Sequence, residues 1–177
     1  QYSSLFNPWL RKFYKPLFSS FMFIFCYTEN AKKLIHKNFG CNNAVVIGNL
    51  RFDSIIEMKK NIRNIKGIKE FVNNSFCIVA GSTEKIEDKL LAKAFNNLRH
   101  LTIKWIIVPH EKHPIALNRL KIIFGENACF YSKNLNYNKK VLIYDITGDL
   151  FQLYAHANLS LVGRGFERKE IHNMLEP

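Results

Sequence analysis

Five short polar clusters, each following an apolar run, hold the residue types able to do chemistry in this chain. Gly81-Ser82-Thr83 brings two hydroxyls and free backbone amides to the start of a helix. Such a place binds phosphate or carboxylate, and it serves equally as an ordinary helix cap. Pro109-His110-Glu111-Lys112-His113-Pro114 is dense in hydrogen-bonding groups. Two histidines and a glutamate are metal ligands by type. Their proline-bounded turn lacks the i, i+4 spacing of a helical metal motif, so a polar loop or ligand contacts are the readings to prefer. Asp145-Ile146-Thr147-Gly148-Asp149-Leu150 repeats the strand–turn–helix pattern, with Thr147 as N-cap and Asp149 in the first turn.

The final cluster joins Gly163-Arg164-Gly165-Phe166 to His172-Asn173-Met174-Leu175-Glu176-Pro177. Its glycines let a ligand approach the backbone closely. Asn173 and Glu176 share a face if a helix begins there, and the carboxylate could then accept from both hydroxyls of a ribose. A capping role is the alternative. Gly48-Asn49-Leu50-Arg51-Phe52-Asp53 offers Arg51 after a strand. Such an arginine is either simply solvated or, at a domain junction, able to meet a phosphate or carboxylate.

The elements that must position these clusters alternate in type. Residues 76–80, 102–108, 128–131, 141–144 and 159–162 read as strands. Residues 84–100, 115–124 and 147–157 read as helices. In the first helix Ile86, Leu90, Leu91, Ala94 and Leu98 recur at helical spacing, Ser82 or Thr83 can cap it, and Gly125 closes the second. Continuous apolar strands between helices predict a Rossmann-like parallel α/β sheet covered on both faces, which binds ligands beyond the carboxyl ends of its strands. Upstream, 8–25 is aromatic and basic, 29–39 reads as a helix and 44–47 as a short strand. Residues 1–58 thus form a first region, 59–75 a polar, basic linker, and 76–177 the Rossmann-like domain.

Composition narrows the partners. A formal net charge of +12 calls for an anion: nucleic acid, phosphorylated lipid or sugar nucleotide. No nucleic-acid-binding motif or segregated basic stripe is present. The four cysteines form no C-x-x-C pair, which argues against zinc-ribbon and thioredoxin chemistry in favour of buried free thiols. The apolar run 17–27 is too short to span a bilayer, which needs about 20 residues. With Gln1 at one end and an incipient helix at Pro177, the chain reads as a fragment.

Taken in order, the clusters resemble those of the Kdo (3-deoxy-D-manno-octulosonic acid) transferases, from about Tyr27 to the end. GNLRFD stands where the family has G-N-L-K-F-D, Ser82-Thr83 where it has S-T, and Val108 onward where it has V-P-R-H-P. DITGDL stands for D-T-x-G-E-L, and Gly163 to Pro177 for G-G-G/S…G-H-N-x-L-E-P. The resemblance implies a two-domain GT-B glycosyltransferase moving Kdo from CMP-Kdo to a lipid A precursor in lipopolysaccharide biosynthesis. It implies inversion, no metal, no cofactor, no nucleic acid as partner, and work at an anionic membrane, the cytoplasmic face of the bacterial inner membrane.

Carried over by position, Pro109, His110, Ile146, Thr147, Gly148 and Asp149 would contact the CMP moiety. His172, Asn173, Met174, Leu175 and Glu176 would hold its phosphate and ribose, beside Gly163 and Gly165. Ser82 and Thr83 would lie near the phosphate or the sugar carboxylate. Arg51 replaces a lysine that stabilises the transition state, keeping charge but not shape. The family's general base, a glutamate of the N-terminal domain, has no counterpart here, so the fragment is expected to be inactive alone. The chain departs from the pattern at Arg164, Glu167 and Glu170, where glycine is usual, and in the V-P-R-H-P element, whose arginine is either replaced by His110 or displaced by an insertion around Glu111-Lys112. Competing readings are another GT-B transferase or a sugar-nucleotide epimerase using a UDP-sugar, and a basic nucleic-acid-binding domain.

Overall fold

The chain's buried apolar residues gather into three clusters, one in the first third and one on each face of a parallel sheet in the rest. These are seen in a computed structural model that describes residues 8–133 and 135–166. The chain divides into two units, Gln1–Glu57 and Met58–Pro177.

In the first unit, α1 (Pro8–Ser20) precedes β1 (Ile24–Cys26), α2 (Glu29–Phe39) and β2 (Ala44–Val46). The two strands pair in parallel, so α2 is their crossover. Its start is fixed by Thr28, whose side chain accepts from the Ala31 N–H at 3.1 Å. Its end is fixed by Gly40, at φ +70°, donating to His36 O at 2.8 Å. Cys26, Ile35, Phe39, Cys41 and Ala44 form the core. The helix α3 (Leu50–Lys60) follows and buries no residue.

The second unit opens with α4 (Ile68–Val72), whose Ile68 and Phe71 are wholly buried against the sheet. The polar stretch taken as a linker over 59–75 therefore contributes part of this unit's core. Its charge pattern hides two anchors separated by one helical turn.

The sheet contains β3 (Phe76–Thr83), β4 (Ile103–Pro109), β5 (Ala128–Phe130), β6 (Val141–Ile143) and β7 (Leu159–Val162) in the order β5-β6-β4-β3-β7, all parallel. Side chains alternate between two cores. Cys77, Val79, Ile106, Val108 and Leu142 meet α4 and α7 (Leu150–Tyr154) on one face. Ile78, Ala80, Trp105, Ile107 and Ile143 meet α5 (Lys85–Leu98) and α6 (Pro114–Phe124) on the other. The expected doubly covered parallel α/β sheet is what forms.

Two caps differ from expectation. The helix α5 begins after Glu84, whose N–H donates to Glu87 Oε2 at 3.2 Å, so neither Ser82 nor Thr83 caps it. Thr83 instead completes β3. Likewise α7 begins after Asp149, not Thr147, and ends at Tyr154, short of Ala157. Gly148 at φ +104° turns the chain there, which keeps Thr147 out of the helix.

All four cysteines are free and buried. Burial pushes the Cys77 thiol up to about 12 and raises Cys129 as well. In the folded protein near pH ~8, a disulfide-exchange reagent should label all four slowly, and guanidinium should expose them together. A rapidly labelled thiol in the native state would contradict this packing.

Candidate functional site

The carboxyl ends of β3, β4, β6 and β7 lie along one end of the sheet, and the strand-tip clusters are carried there by the parallel register. The tips are tied by backbone hydrogen bonds. His110 N–H donates to Thr83 O at 2.9 Å and Gly163 N–H to Gly81 O at 2.8 Å. Tyr144 N–H donates to Ile107 O at 2.8 Å, extending the β6 side of the same rim.

At the β3 tip the pairing with β4 slips between Gly81 and Thr83. Ser82 sits in the bulge at φ +55°, and Arg164 faces the same region at φ +68°. Left-handed backbone at non-glycine residues costs roughly 1–2 kcal/mol each, and such strain gathers where a site needs it. The bulge leaves Ser82 half-buried at the rim and sends Thr83 inward, 1% exposed. Gly163 lies so close to this bulge that an added Cβ would overlap Ser82 O and come within 2.7 Å of Ser82 C and 2.9 Å of Thr83 Cα.

Charge at the rim is arranged in pairs. The Arg164 guanidinium meets Glu84 Oε1 at 2.9 Å, bridging the end of β7 to the start of α5. The N-terminus of α5 is thus already supplied with carboxylates, which tilts the Gly81–Thr83 cluster away from a bare anion pocket. Beneath it, the buried Asp88 carboxylate receives Arg119 NH2 at 2.7 Å, locking α5 to α6. Burial raises its pKa against the opposing pull of the Thr83 hydroxyl and Arg119.

On the β6 side, the Tyr144 hydroxyl donates to Asp149 Oδ2 at 2.6 Å. Burial and that carboxylate both raise the phenol's pKa. Asp145 accepts from the Ser132 N–H at 2.9 Å and the hydroxyl at 2.5 Å. These bonds hold the 145–149 turn in one shape, leaving Ile146, Thr147 and Gly148 exposed.

In the β4 loop, His113 caps α6 by accepting from Ala116 N–H at 3.2 Å, and its Nε2 lies 2.9 Å from Glu111 Oε2. Lys112 donates to Pro109 O at 3.2 Å. Among the described residues no three His, Cys, Asp or Glu side chains are grouped to hold a metal ion. His113 and Glu111 serve the helix start.

The structure therefore gathers Ser82, His110, Ile146, Thr147, Gly148, Gly163 and Gly165 at one end of the sheet. Three expected contacts change character. Thr83 and Pro109 are buried, so Thr83 offers its carbonyl to the neighbouring loop and Pro109 only shapes it. Asp149 is half-buried and engaged by Tyr144. Arg51 belongs to the first unit, exposed near the start of α3, where its N–H donates to Asn49 Oδ1 at 3.1 Å. His172, Asn173, Met174, Leu175 and Glu176 lie outside the described residues. Sequence reasoning missed the Tyr144–Asp149 and Arg164–Glu84 pairs. Only the Glu84-x-x-Glu87 spacing signalled the true start of α5.

No protein-family model matches the chain. Over 144 residues it is 32% identical to a 3-deoxy-D-manno-octulosonic acid transferase of Aquifex aeolicus (strain VF5). This chain is thus similar to a Kdo transferase over most of its own length. The aligned stretch is 80% of this chain and 37% of that Kdo transferase, so the chain spans little more than a third of its curated relative. Among solved structures, the C-terminal CMP-Kdo binding domain of WaaA from Acinetobacter baumannii is similar at 23% identity, with a TM-score of 0.49, covering 71% of this chain and 66% of that one.

Proposed function

We propose that this chain is the donor-side portion of a Kdo transferase of the GT-B type, binding CMP-Kdo at the strand tips of its second unit. The observation that carries the reading is the 32% identity to a Kdo transferase over four fifths of the chain. The geometry supports it, because the residues matching the family's motifs, from Ser82 to Gly165, come to the same end of one parallel sheet.

In this reading the 146–148 turn and His110 take the nucleoside, and Ser82, half-buried at the strained bulge, lies near the phosphate or the sugar carboxylate beside the Arg164–Glu84 pair. Departure of CMP leaves negative charge on the phosphate, and a preorganised cation lowers that barrier. With the family's arginine replaced by His110 or displaced by an insertion around Glu111-Lys112, Arg164 and Lys112 supply positive charge at these tips. Glu84 holds the first in place, and the Pro109 carbonyl holds the second. Arg51 is the further cation, acting on the transition state in the complete enzyme. Transfer goes with inversion and without a metal to a lipid A precursor at the cytoplasmic face of the inner membrane, and the acceptor's general base is a glutamate beyond this chain. The fragment alone binds donor without turning it over.

Titration with CMP by calorimetry tests the site. Glu176→Ala should weaken CMP by about 1–3 kcal/mol, the cost of losing a charged hydrogen-bond partner. Unchanged affinity would remove Glu176 from the ribose. UDP competing as well as CMP would move the chain to a UDP-sugar enzyme.

A further inference from the structure

A groove of about 650 Å³ lies between α6 and the edge strand β5 with the loop that follows it, and its near end reaches Lys112 of the β4 loop. It is formed because α6 commits Ala116, Leu120 and Phe124 to the core. A second face, with Leu117 and Lys121 one turn apart, is left to look across at β5. Leu117 and Phe130 supply an apolar floor.

The rim of this groove is strongly basic. Lys112, Lys121, Lys133 and Lys139 line it against the single carboxylate of Glu126, four positive charges against one negative, a formal excess of three. Glu126 is spent on Lys139, 3.7 Å away, and Lys139 also donates to Glu126 O at 2.6 Å. Lys112 is half-buried, and its pKa is lowered chiefly by that burial. Lys121 and Lys133 are exposed, and Lys133 Nζ stands 5.8 Å from the centre of the Phe130 ring. Like charges collected in a concave place repel one another, and an anion in the groove relieves that repulsion. Surface lysines serving solubility alone have no need to converge on a concavity.

We infer that this groove is a second anion site, recognising a ligand that carries two or more phosphate groups. Lys121 and Lys133 are its principal contacts, and the Leu117–Phe130 floor packs against the ligand's less polar part. The inference does not depend on the CMP reading, because Lys121 and Lys133 take no part in the proposed donor site and Lys112 alone is shared. Lysine is suited to the task as a flexible point charge that can follow a phosphate without demanding one bidentate geometry.

The test uses the whole chain with inorganic tripolyphosphate in calorimetry, and vesicles containing phosphatidylglycerol in sedimentation, at low ionic strength. A Lys121→Glu, Lys133→Glu double variant is compared with Lys89→Glu, Lys93→Glu, a pair of exposed lysines on α5 whose reversal changes net charge equally. The groove variant should lose binding by roughly tenfold or more while the α5 variant stays near the parent, since an exposed charge pair acts locally and is screened at a distance. CMP affinity and melting temperature should be unchanged in both. Tripolyphosphate binding assigns a soluble polyphosphorylated ligand, whereas vesicle binding alone assigns a lipid phosphate. Equal losses in the two variants, or no binding of either probe to the parent, would overturn the site. A Lys121→Gln, Lys133→Gln variant that also loses binding attributes the effect to lost attraction and not to new repulsion.

Discussion

Gly163→Ala should lower the melting temperature by roughly 5–10 °C, the equivalent of about 1–3 kcal/mol in a domain of this size. The loss arises because the added methyl overlaps Ser82 O and lies 2.7 Å from the carbonyl carbon and 2.9 Å from Thr83 Cα. All three are backbone atoms, with no flexible side chain able to swing aside. Relief requires the end of β7 to move off β3, breaking the 2.8 Å bond from Gly163 N–H to Gly81 O. The same movement would displace the Arg164–Glu84 pair, so CMP affinity in the proposed donor site should fall together with stability. Thermal scanning and CMP calorimetry on one preparation check both effects. A variant with parental stability would mean that β7 is not seated against the bulge.

Phe71→Ala should be more damaging, at about 3–5 kcal/mol, the usual range for a fully buried phenylalanine. Phe71 is 0% exposed, and the ammonium of Lys104 stands 4.6 Å from its ring centre. Removing the ring leaves a cavity between α4 and the sheet, where Val79, Ile106 and Leu142 lose packing partners. Phe166→Ala provides the contrast, since Phe166 is 64% exposed and its truncation should shift stability by no more than about 0.5 kcal/mol. Denaturant unfolding of the two variants would rank them. Comparable small effects would return 59–75 to the status of a spacer.

Legibility of this chain from its sequence followed the strength of its local signals. The strands at Val141–Ile143 and Leu159–Val162 and the helix ending at Gly125 could be read directly, because apolar runs and glycine stops are local. Ile68 and Phe71 could not be, because a single buried turn among lysines and asparagines has too little periodicity to stand out. Thr147 looked like a cap by residue type, but Gly148 bends the chain before the helix can begin. The strand-tip positions of Ser82, His110 and Gly163 were foreseeable from the strand–turn pattern. The bulge that turns Thr83 inward depends on β3 meeting β4, and the ion pair from Arg164 to Glu84 on β3 meeting β7, pairings that no local window contains.

That long-range pairing also bears on how the chain reaches its native state. Asn158 receives Cys77 N–H at 2.8 Å across 81 residues, and no hairpin bridges the gap. Closing so large a loop costs entropy before any contact repays it. Docking of β7 should therefore come late, after β3, β4 and their helices have assembled. Substitutions at Gly163 would then accelerate unfolding and leave the refolding rate nearly untouched, a φ-value near zero.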